Sequence, residues 1–265
     1  MQDRIVLQGI LYDKKSSFLR GAGLAPPLIR EAYQSDSANY FAENGMELRP
    51  EIFNDAGDFS IENYFDIEKI TANNLAKNLP LITLGGDHSI TYPIIKSFCN
   101  VYGPIEILHI DAHADLYEEF EGDKFSHACP FARIMENKLA SRLVQVGVRT
   151  LSTHQREQAK KYDVEIVEMQ NFSLNSIPKF IGPVYISLDI DALDPAFTPG
   201  VSHHEPGGLN TRQVIDIIQK IKAPIVGADI VEYNPTRDIN DMTAMVCAKL
   251  LKEITSSILK NKSTV

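Results

Sequence analysis

The chain has few cysteines, no long apolar run and no excess of positive charge, and each deficit argues against a class of protein. Its three cysteines, Cys99, Cys129 and Cys247, are widely spaced and form no C-x-x-C pair. This pattern argues against a disulfide framework or a structural zinc site and favours buried thiols in a reducing compartment. No run approaches the ~18 apolar residues that span a bilayer, and no leader pattern follows Met1. We therefore predict a cytoplasmic protein with no membrane partner.

The charge balance is acidic. The sequence holds 26 basic and 35 acidic residues, for a formal charge of −9. This balance argues against a general nucleic-acid binder and suits an enzyme with a small cationic substrate. The 265 residues contain no Pro/Gly/Ser-rich linker, internal repeat or low-complexity run. We therefore predict a single domain over residues 1–265, large enough to bury a substantial core.

Short apolar strands alternate with amphipathic helical patterns along most of the chain. This alternation predicts an α/β fold with three α/β/α layers and a mostly parallel central sheet. Residues 54–58, NDAGD, have the composition of a turn. The predicted strands are 4–12, 81–84, 105–110, 142–148, 164–167, 184–188 and 225–231, and the predicted helices are 28–33, 62–79, 91–98, 153–161, 211–221 and 242–259.

Three polar turns follow three of the predicted core strands. They read GGDHS, DAHADL and DIDALDP and begin at Gly85, Asp111 and Asp189. In the second turn, acidic and histidine side chains recur at every second residue, so an extended backbone points them to one face. Sites in such sheets collect at the carboxyl ends of the strands. The candidate metal ligands are His88, Asp111, His113, Asp115, Asp189 and Asp191.

Four carboxylates and two imidazoles at one sheet edge are enough for two metal ions. Without a cation, four adjacent carboxylates could not all stay ionised. Oxygen-rich ligation with two histidines and no thiolate favours Mn²⁺ over zinc, while histidine makes Ca²⁺ or Mg²⁺ less natural. Asp111 and Asp189, the first carboxylates of their motifs, are the best candidates to bridge the two ions.

The motifs GGDHS, DAHADL and SLDIDALDP, in this order, resemble the three signatures of the ureohydrolase family, which includes arginases and agmatinases. Residues 126–136, 194–209 and 227–235 are most similar to the branch of plant-type arginases and bacterial agmatinase-like proteins. The resemblance implies an arginase/deacetylase-like fold, two Mn²⁺ per subunit and a homotrimer or homohexamer. It implies one ion held by His88, Asp111, Asp115 and Asp189, and a second held by Asp111, His113, Asp189 and Asp191.

The same resemblance implies catalytic roles for two further residues and a second role for one of the metal ligands. His127 corresponds to a histidine that relays protons, Glu232 to a carboxylate that receives the guanidinium, and Asp115 would also orient the attacking water. These roles fit the chemistry, because a guanidinium is always charged and pairs with a carboxylate. The leaving amine also needs a proton from a group that titrates near neutral pH.

Three other histidines have weaker assignments. His203 and His204, in the stretch VSHHEP, replace the small threonine-rich turn of many family members. One of them would line the pocket mouth and touch the substrate tail, or both would be solvated. His109, inside an apolar strand, is predicted to be a packed core histidine.

The acidic loop after the second motif bears on the substrate. It contains Glu118, Glu119, Glu121 and Asp123 beside a single Lys124. An acidic rim would repel the α-carboxylate of arginine and attract the terminal ammonium of agmatine. The sequence therefore predicts hydrolysis of agmatine to putrescine and urea, with L-arginine to L-ornithine and urea as the alternative. Guanidinobutyrate is disfavoured by its charge.

Two alternatives of other kinds remain at this stage. A non-catalytic paralogue with a structural or regulatory role would be expected to lose a ligand, His127 or Glu232, and the sequence retains them all. A metal-dependent deacetylase can share the implied fold, but it would need one zinc ion and fewer carboxylates.

Overall fold

The computed structural model describes residues 4–262 and contains one sheet of eight parallel strands. The strands are β1 Ile5–Leu11, β2 Phe53–Ser60, β3 Leu81–Leu84, β4 Ile105–Ile110, β5 Ala140–Val146, β6 Glu165–Val167, β7 Val184–Asp189 and β8 Ile225–Val231. Their order across the sheet is β2-β1-β3-β8-β7-β4-β5-β6. All the strand pairs are parallel. The predicted α/β class with a parallel sheet is therefore confirmed.

Seven α-helices within the described residues cover the sheet. They are α1 Ala25–Tyr33, α2 Asp66–Leu75, α3 Thr91–Tyr102, α4 Pro130–Glu136, α5 Thr153–Lys161, α6 Thr211–Lys220 and α7 Met242–Lys262. Side chains of α1, α6 and α7 share one apolar cluster, and side chains of α2 to α5 share another. In β4, Leu108 and Ile110 join the first cluster while Ile105 and Ile107 join the second. This alternation of the strand side chains places helices on both faces and gives the predicted three layers.

Two elements differ from the sequence prediction. Residues 54–58, predicted as a turn, lie inside β2, and that prediction is wrong. β2 is an edge strand whose pairing with β1 shifts register between Leu7 and Gly9, and Gly57 has a left-handed φ of 82°. An edge position and a register shift let turn-forming residues remain in a strand, and Arg30 pairs with the Asp55 and Asp58 carboxylates.

The second difference is α4, a helix of seven residues that the helical patterns did not predict. It is too short to show a clear helical period, and its one local signal is Pro130 at the first helical position. Within residues 4–262, no helix combines the length and the apolar character needed to cross a membrane.

Gly86 determines how closely the GGDHS turn approaches β1. A Cβ at this position would lie 1.7 Å from the carbonyl oxygen of Tyr12, which also accepts the Asp87 N–H at 3.0 Å. We expect Gly86→Ala to cost about 1–3 kcal/mol of unfolding free energy, because a backbone atom must move. The measurement is thermal unfolding, with Gly182→Ala as the control, since its Cβ would meet only the end of the Glu106 side chain at 3.3 Å. Equal melting temperatures for the two variants would contradict this account.

Candidate metal centre

The candidate site residues lie at the carboxyl ends of the four central strands. β3 leads to His88, β4 to the DAHADL motif, and β7 to Asp189 and Asp191. β8 lies between β3 and β7 in the sheet, so the three motif strands are not all neighbours. The intervening strand brings Glu232 to the same edge.

The first cluster surrounds the Nδ1 atom of His88. This atom lies 3.1 Å from Asp111 Oδ2, 3.2 Å from Asp115 Oδ2 and 3.1 Å from Asp189 Oδ2. His88 is fully buried, and its Nδ1 has no partner with hydrogen-bond geometry. Three carboxylate oxygens that converge on an unpartnered ring nitrogen are what a bound cation requires.

The tautomer of His88 follows from its other contact. Ser187 Oγ donates to Asp229 Oδ1 at 2.7 Å, so it can only accept from His88 Nε2, at 3.0 Å. Asp229 is fully buried and also accepts hydrogen bonds from the hydroxyls of Tyr185 and Thr91. Because Nε2 carries the proton, the lone pair of Nδ1 points at the three carboxylates.

The second cluster forms around His113. Its Nδ1 lies 3.1 Å from Asp191 Oδ2 and 3.4 Å from Asp111 Oδ1. Asp111 therefore faces His88 with one oxygen and His113 with the other, as expected of a bridging carboxylate. Asp189 Oδ1 accepts the Asp191 N–H at 2.8 Å, and the role of Asp189 as a second bridge stays a prediction.

His109 holds Asp111 in place. Its Nε2 lies 2.7 Å from Asp111 Oδ2, and its Nδ1 lies 2.9 Å from the amide nitrogen of Gln145, which also donates to the Ala114 carbonyl. The ring stacks on Phe131 with centroids 3.8 Å apart. His109 is packed in the core as predicted, but it also touches the cluster. Although it lies near His88 and Asp111, both of its nitrogens are engaged, so we assign it to orienting Asp111 and not to binding metal.

The crowded carboxylates create an electrostatic demand for a cation. Burial and the neighbouring Asp191 and Asp111 carboxylates raise the pKa of Asp189 well above its usual range. Burial also raises the pKa of Asp191, although His113 opposes this effect. Carboxylates that resist ionisation would ionise readily beside a divalent ion. The donor set of carboxylate oxygens and imidazole nitrogens thus fits a metal centre.

Glu232 and His127 form a pair beside the clusters. Glu232 Oε1 accepts the His88 N–H and the His127 Nδ1–H, each at 2.9 Å. The Ser17 N–H donates to His127 Nε2 at 3.1 Å, so in this arrangement the His127 proton is on Nδ1. Although burial acts to lower it, the Glu232 carboxylate raises the pKa of His127 to about 9. A second proton can enter at Nε2 only if the Ser17 amide moves away.

Two residues of the candidate site have a left-handed backbone conformation. The φ angles of Asp115 and Glu232 are 49° and 63°, a conformation that costs a non-glycine residue about 1–3 kcal/mol. Both side chains line one cavity. Strain of this kind concentrates at functional sites, where the rest of the fold supports it.

The clusters open into a cavity of about 240 Å³. His203 lines this cavity, with its ring 5.3 Å from that of His127 and 5.8 Å from that of His113. His204 is exposed, bonds the Pro199 carbonyl and does not line the cavity, so we exclude it from the substrate site proposed below. The lining residues are Ser17, His113, Asp115, Tyr117, Phe120, His127, Ala128, Thr150, Gln155, Asp189, Asp191, His203 and Glu232.

Several residues around the site were not predicted from the sequence. Ser17, Thr150 and Gln155 line the cavity, and Gln145 and Asp229 support the ligands from behind. His109 had a local signal, because a strand residue two positions before Asp111 points to the same face. The others lie in loops, in strands or, for Gln155, in the first turn of α5, and they had no such signal.

Comparisons with known proteins agree on one family. The model of the Arginase family matches residues 3–256. The chain is 44% identical over 276 residues to arginase 1, mitochondrial, of Arabidopsis thaliana, covering 96% of this chain and 81% of that protein. It is 34% identical over 256 residues to N(1)-aminopropylagmatine ureohydrolase of Thermus thermophilus, covering 91% and 86%. The solved structure of arginase from Medicago truncatula superimposes with a TM-score of 0.90 at 41% identity, covering 97% of this chain and 88% of that one.

Metal content tests the two clusters separately. We expect the wild-type protein to bind two Mn²⁺ per chain, and Asp115→Asn and Asp191→Asn to retain about one ion each, because each removes a charged ligand from a different cluster. Elemental analysis after dialysis measures the stoichiometry. Asp66→Asn, in the first turn of α2 and outside both clusters, is the control. Two tightly held ions in both cluster variants would refute the assignment.

Proposed function

The chain belongs to the arginase family, and we propose that it hydrolyses the guanidino group of L-arginine to urea and L-ornithine. The observation that carries the hydrolase proposal is Glu232, which lines the cavity beside both clusters. Only its Oε1 is hydrogen-bonded among the described residues, so Oε2 remains for a substrate. Named relatives of this family act on guanidino compounds, and the plant arginases are more similar to this chain than the aminopropylagmatine hydrolase.

This proposal reverses the order of substrates that the sequence favoured. Agmatine was preferred because of the acidic loop over residues 118–123, and the comparisons support arginine better. The acidic side chains of the loop also do not form the rim of the cavity that the sequence predicted. Its exposed Glu118, Glu119 and Glu121 do not line the cavity, and Asp123 pairs with Lys15. The electrostatic argument against a substrate carboxylate is therefore weak.

In the proposed reaction, Glu232 pairs with the planar guanidinium and holds it against the two clusters. His127, bonded to Glu232, lies where it can move a proton to the departing nitrogen. Ser17 occupies the other ring nitrogen of His127, so binding of substrate must be coupled to a shift of that contact if Nε2 takes part. Asp115, one of the first-cluster carboxylates, would orient the attacking water.

We propose that His88, Asp111, Asp115 and Asp189 hold one Mn²⁺, and that Asp111, His113, Asp189 and Asp191 hold the other. When bound, such a pair of ions lowers the pKa of water and supplies a nucleophile at neutral pH. The absence of thiolate ligands supports manganese over zinc. We also propose one ureohydrolase domain over residues 1–265 and a homotrimer or homohexamer. The cytoplasmic location stays a prediction.

Agmatine remains the second candidate substrate. None of the residues that line the cavity is lysine or arginine, so away from the metal clusters and His127 a substrate carboxylate would find no opposite charge there. A tail without a carboxylate would avoid that deficit. The retention of all six candidate ligands, His127 and Glu232 in the two clusters and the adjoining cavity argues against the non-catalytic alternative.

Urea release separates these substrates. With purified protein loaded with Mn²⁺, we expect the highest kcat/KM for L-arginine, a lower value for agmatine and the lowest for guanidinobutyrate. A colorimetric urea assay with the three compounds in parallel is sufficient. Higher kcat/KM for agmatine would make the second candidate the function, and no urea from any of them would overturn the proposal.

Glu232 provides a second test. We expect Glu232→Gln to lower kcat/KM for L-arginine by about 100-fold or more, because the variant loses the charge that pairs with the guanidinium. The metal content should stay at two ions, since Glu232 is outside the proposed ligand set. Glu62→Gln, at an exposed position, is the matched control. Near-wild-type turnover by Glu232→Gln would refute the role.

A further inference from the structure

The lining of the cavity has a charged part and a neutral part. The charged part belongs to the clusters, Glu232 and the histidines. The neutral polar groups are those of Ser17, Thr150 and Gln155 and the hydroxyl of Tyr117, beside the aromatic Phe120. Because the guanidinium lies against Glu232 in the proposed function, the other end of the substrate must meet the neutral part.

Gln155 has its amide orientation fixed by the start of α5. Its Oε1 accepts the Ser152 N–H at 3.1 Å, while its own N–H donates to Ser152 Oγ at 3.2 Å, which completes a capping box. Because the Ser152 N–H needs an acceptor, the amide oxygen of Gln155 must face Ser152. The NH₂ group of Gln155 must therefore point away from Ser152.

The amide nitrogen of Gln155 is available to a ligand. It has no hydrogen-bond partner among the described residues, although only 3% of Gln155 is exposed and the residue lines the cavity. Its two N–H donors are not used within the protein, so a group that enters the cavity can accept from them. An anionic oxygen of a bound ligand would satisfy them.

Thr150 offers the complementary group. Its hydroxyl donates to the Ala112 carbonyl at 3.3 Å, so its oxygen lone pairs can accept. The segment is held firmly, because the Arg149 N–H bonds the same Ala112 carbonyl at 2.8 Å and its guanidinium donates to the Asp191 carbonyl at 2.8 Å. A donor and an acceptor are thus supplied by one rigid stretch after β5.

The other polar groups of the lining are less suited to an anion. Ser17 directs both its N–H and its hydroxyl to His127 Nε2, at 3.1 Å and 2.8 Å. His203 would be a strong anion partner only when protonated, and burial lowers its pKa. Gln155 therefore supplies the neutral N–H donors of the lining that a substrate carboxylate could accept from.

We propose that Gln155 and Thr150 form the subsite for the head group of a zwitterionic α-amino acid. The Gln155 amide donates to the α-carboxylate, and the Thr150 oxygen accepts from the α-ammonium. This inference rests on the proposed function and refines it, because it gives a reason for L-arginine to be preferred in a cavity that no lysine or arginine lines. A subsite of neutral groups suits a head group whose own two charges cancel.

Gln155→Glu tests the subsite with little change of shape. Glutamate keeps the oxygen that the capping box needs, but it replaces the NH₂ donors by a negative charge. We expect KM for L-arginine to rise by about 10-fold or more, since a hydrogen bond to a charged group is lost and a like charge is added. KM for agmatine should not rise, because agmatine has no carboxylate. Gln155→Met, which removes the donors without adding charge, should raise KM for L-arginine by a smaller factor.

The chain contains a matched control for this change. Gln213 occupies the same capping-box position in α6, where its Oε1 accepts the Asn210 N–H at 2.9 Å, and it does not line the cavity. Gln213→Glu should leave KM for both substrates unchanged. Metal content and melting temperature, measured for every variant, identify a general loss of folding.

Ligand binding separates failure of the subsite from failure of the proposed function. Calorimetric titration of the Mn²⁺-loaded protein measures the affinity for L-ornithine and for putrescine and needs no turnover. The two diamines differ only in the α-carboxylate, which L-ornithine has and putrescine lacks. We expect Gln155→Glu to weaken only L-ornithine. If the wild type releases no urea from L-arginine or agmatine, the proposed function fails while the titration still tests the subsite. Equal effects on both ligands, or no effect on L-ornithine, would overturn the subsite.

Discussion

Mutual repulsion among buried carboxylates is the constraint on which the rest of this structure depends. Asp111, Asp115 and Asp189 all approach within 3.2 Å of one ring nitrogen of His88, in a region that is almost wholly buried. Burial and the neighbouring Asp191 and Asp111 carboxylates raise the pKa of Asp189 well above its usual range, so we expect cations to balance this arrangement. The fold maintains it by placing the ligands at the ends of rigid parallel strands, and by accepting a left-handed backbone at Asp115.

Hydrogen bonds behind the ligands determine where their lone pairs point. Ser187 and Asp229 fix the proton of His88 on Nε2, and Gln145 does the equivalent for His109, which in turn holds Asp111. Histidine ligands whose second nitrogen is fixed in this way need little reorganisation on binding a cation. The cavity wall is preorganised in a similar way, because the capping box at the start of α5 orients the amide nitrogen of Gln155 toward the proposed substrate. The metal centre and the substrate pocket therefore share one principle of preorganisation.

Much of this arrangement could be predicted from the sequence, because the parallel-sheet pattern and the three polar turns are local signals. β3, β4, β8 and α5 have the predicted bounds. The position of β8 between β3 and β7 was not predictable in this way, since strand order depends on tertiary packing. Ser17 reaches His127 only because Asp87 and the His127 N–H hold its loop at Lys15. Gln155 has no local signal beyond its place in the first turn of α5, and only the tertiary fold brings it beside the cavity.

Anomalous X-ray diffraction from crystals grown with Mn²⁺ tests the central claim most directly. The account predicts two manganese peaks in each chain, one bounded by His88 Nδ1 and the carboxylates of Asp111, Asp115 and Asp189. The other should lie between His113 Nδ1 and Asp191, with Asp111 contacting both ions. A single peak, or peaks remote from His88 Nδ1 at saturating Mn²⁺, would contradict the account.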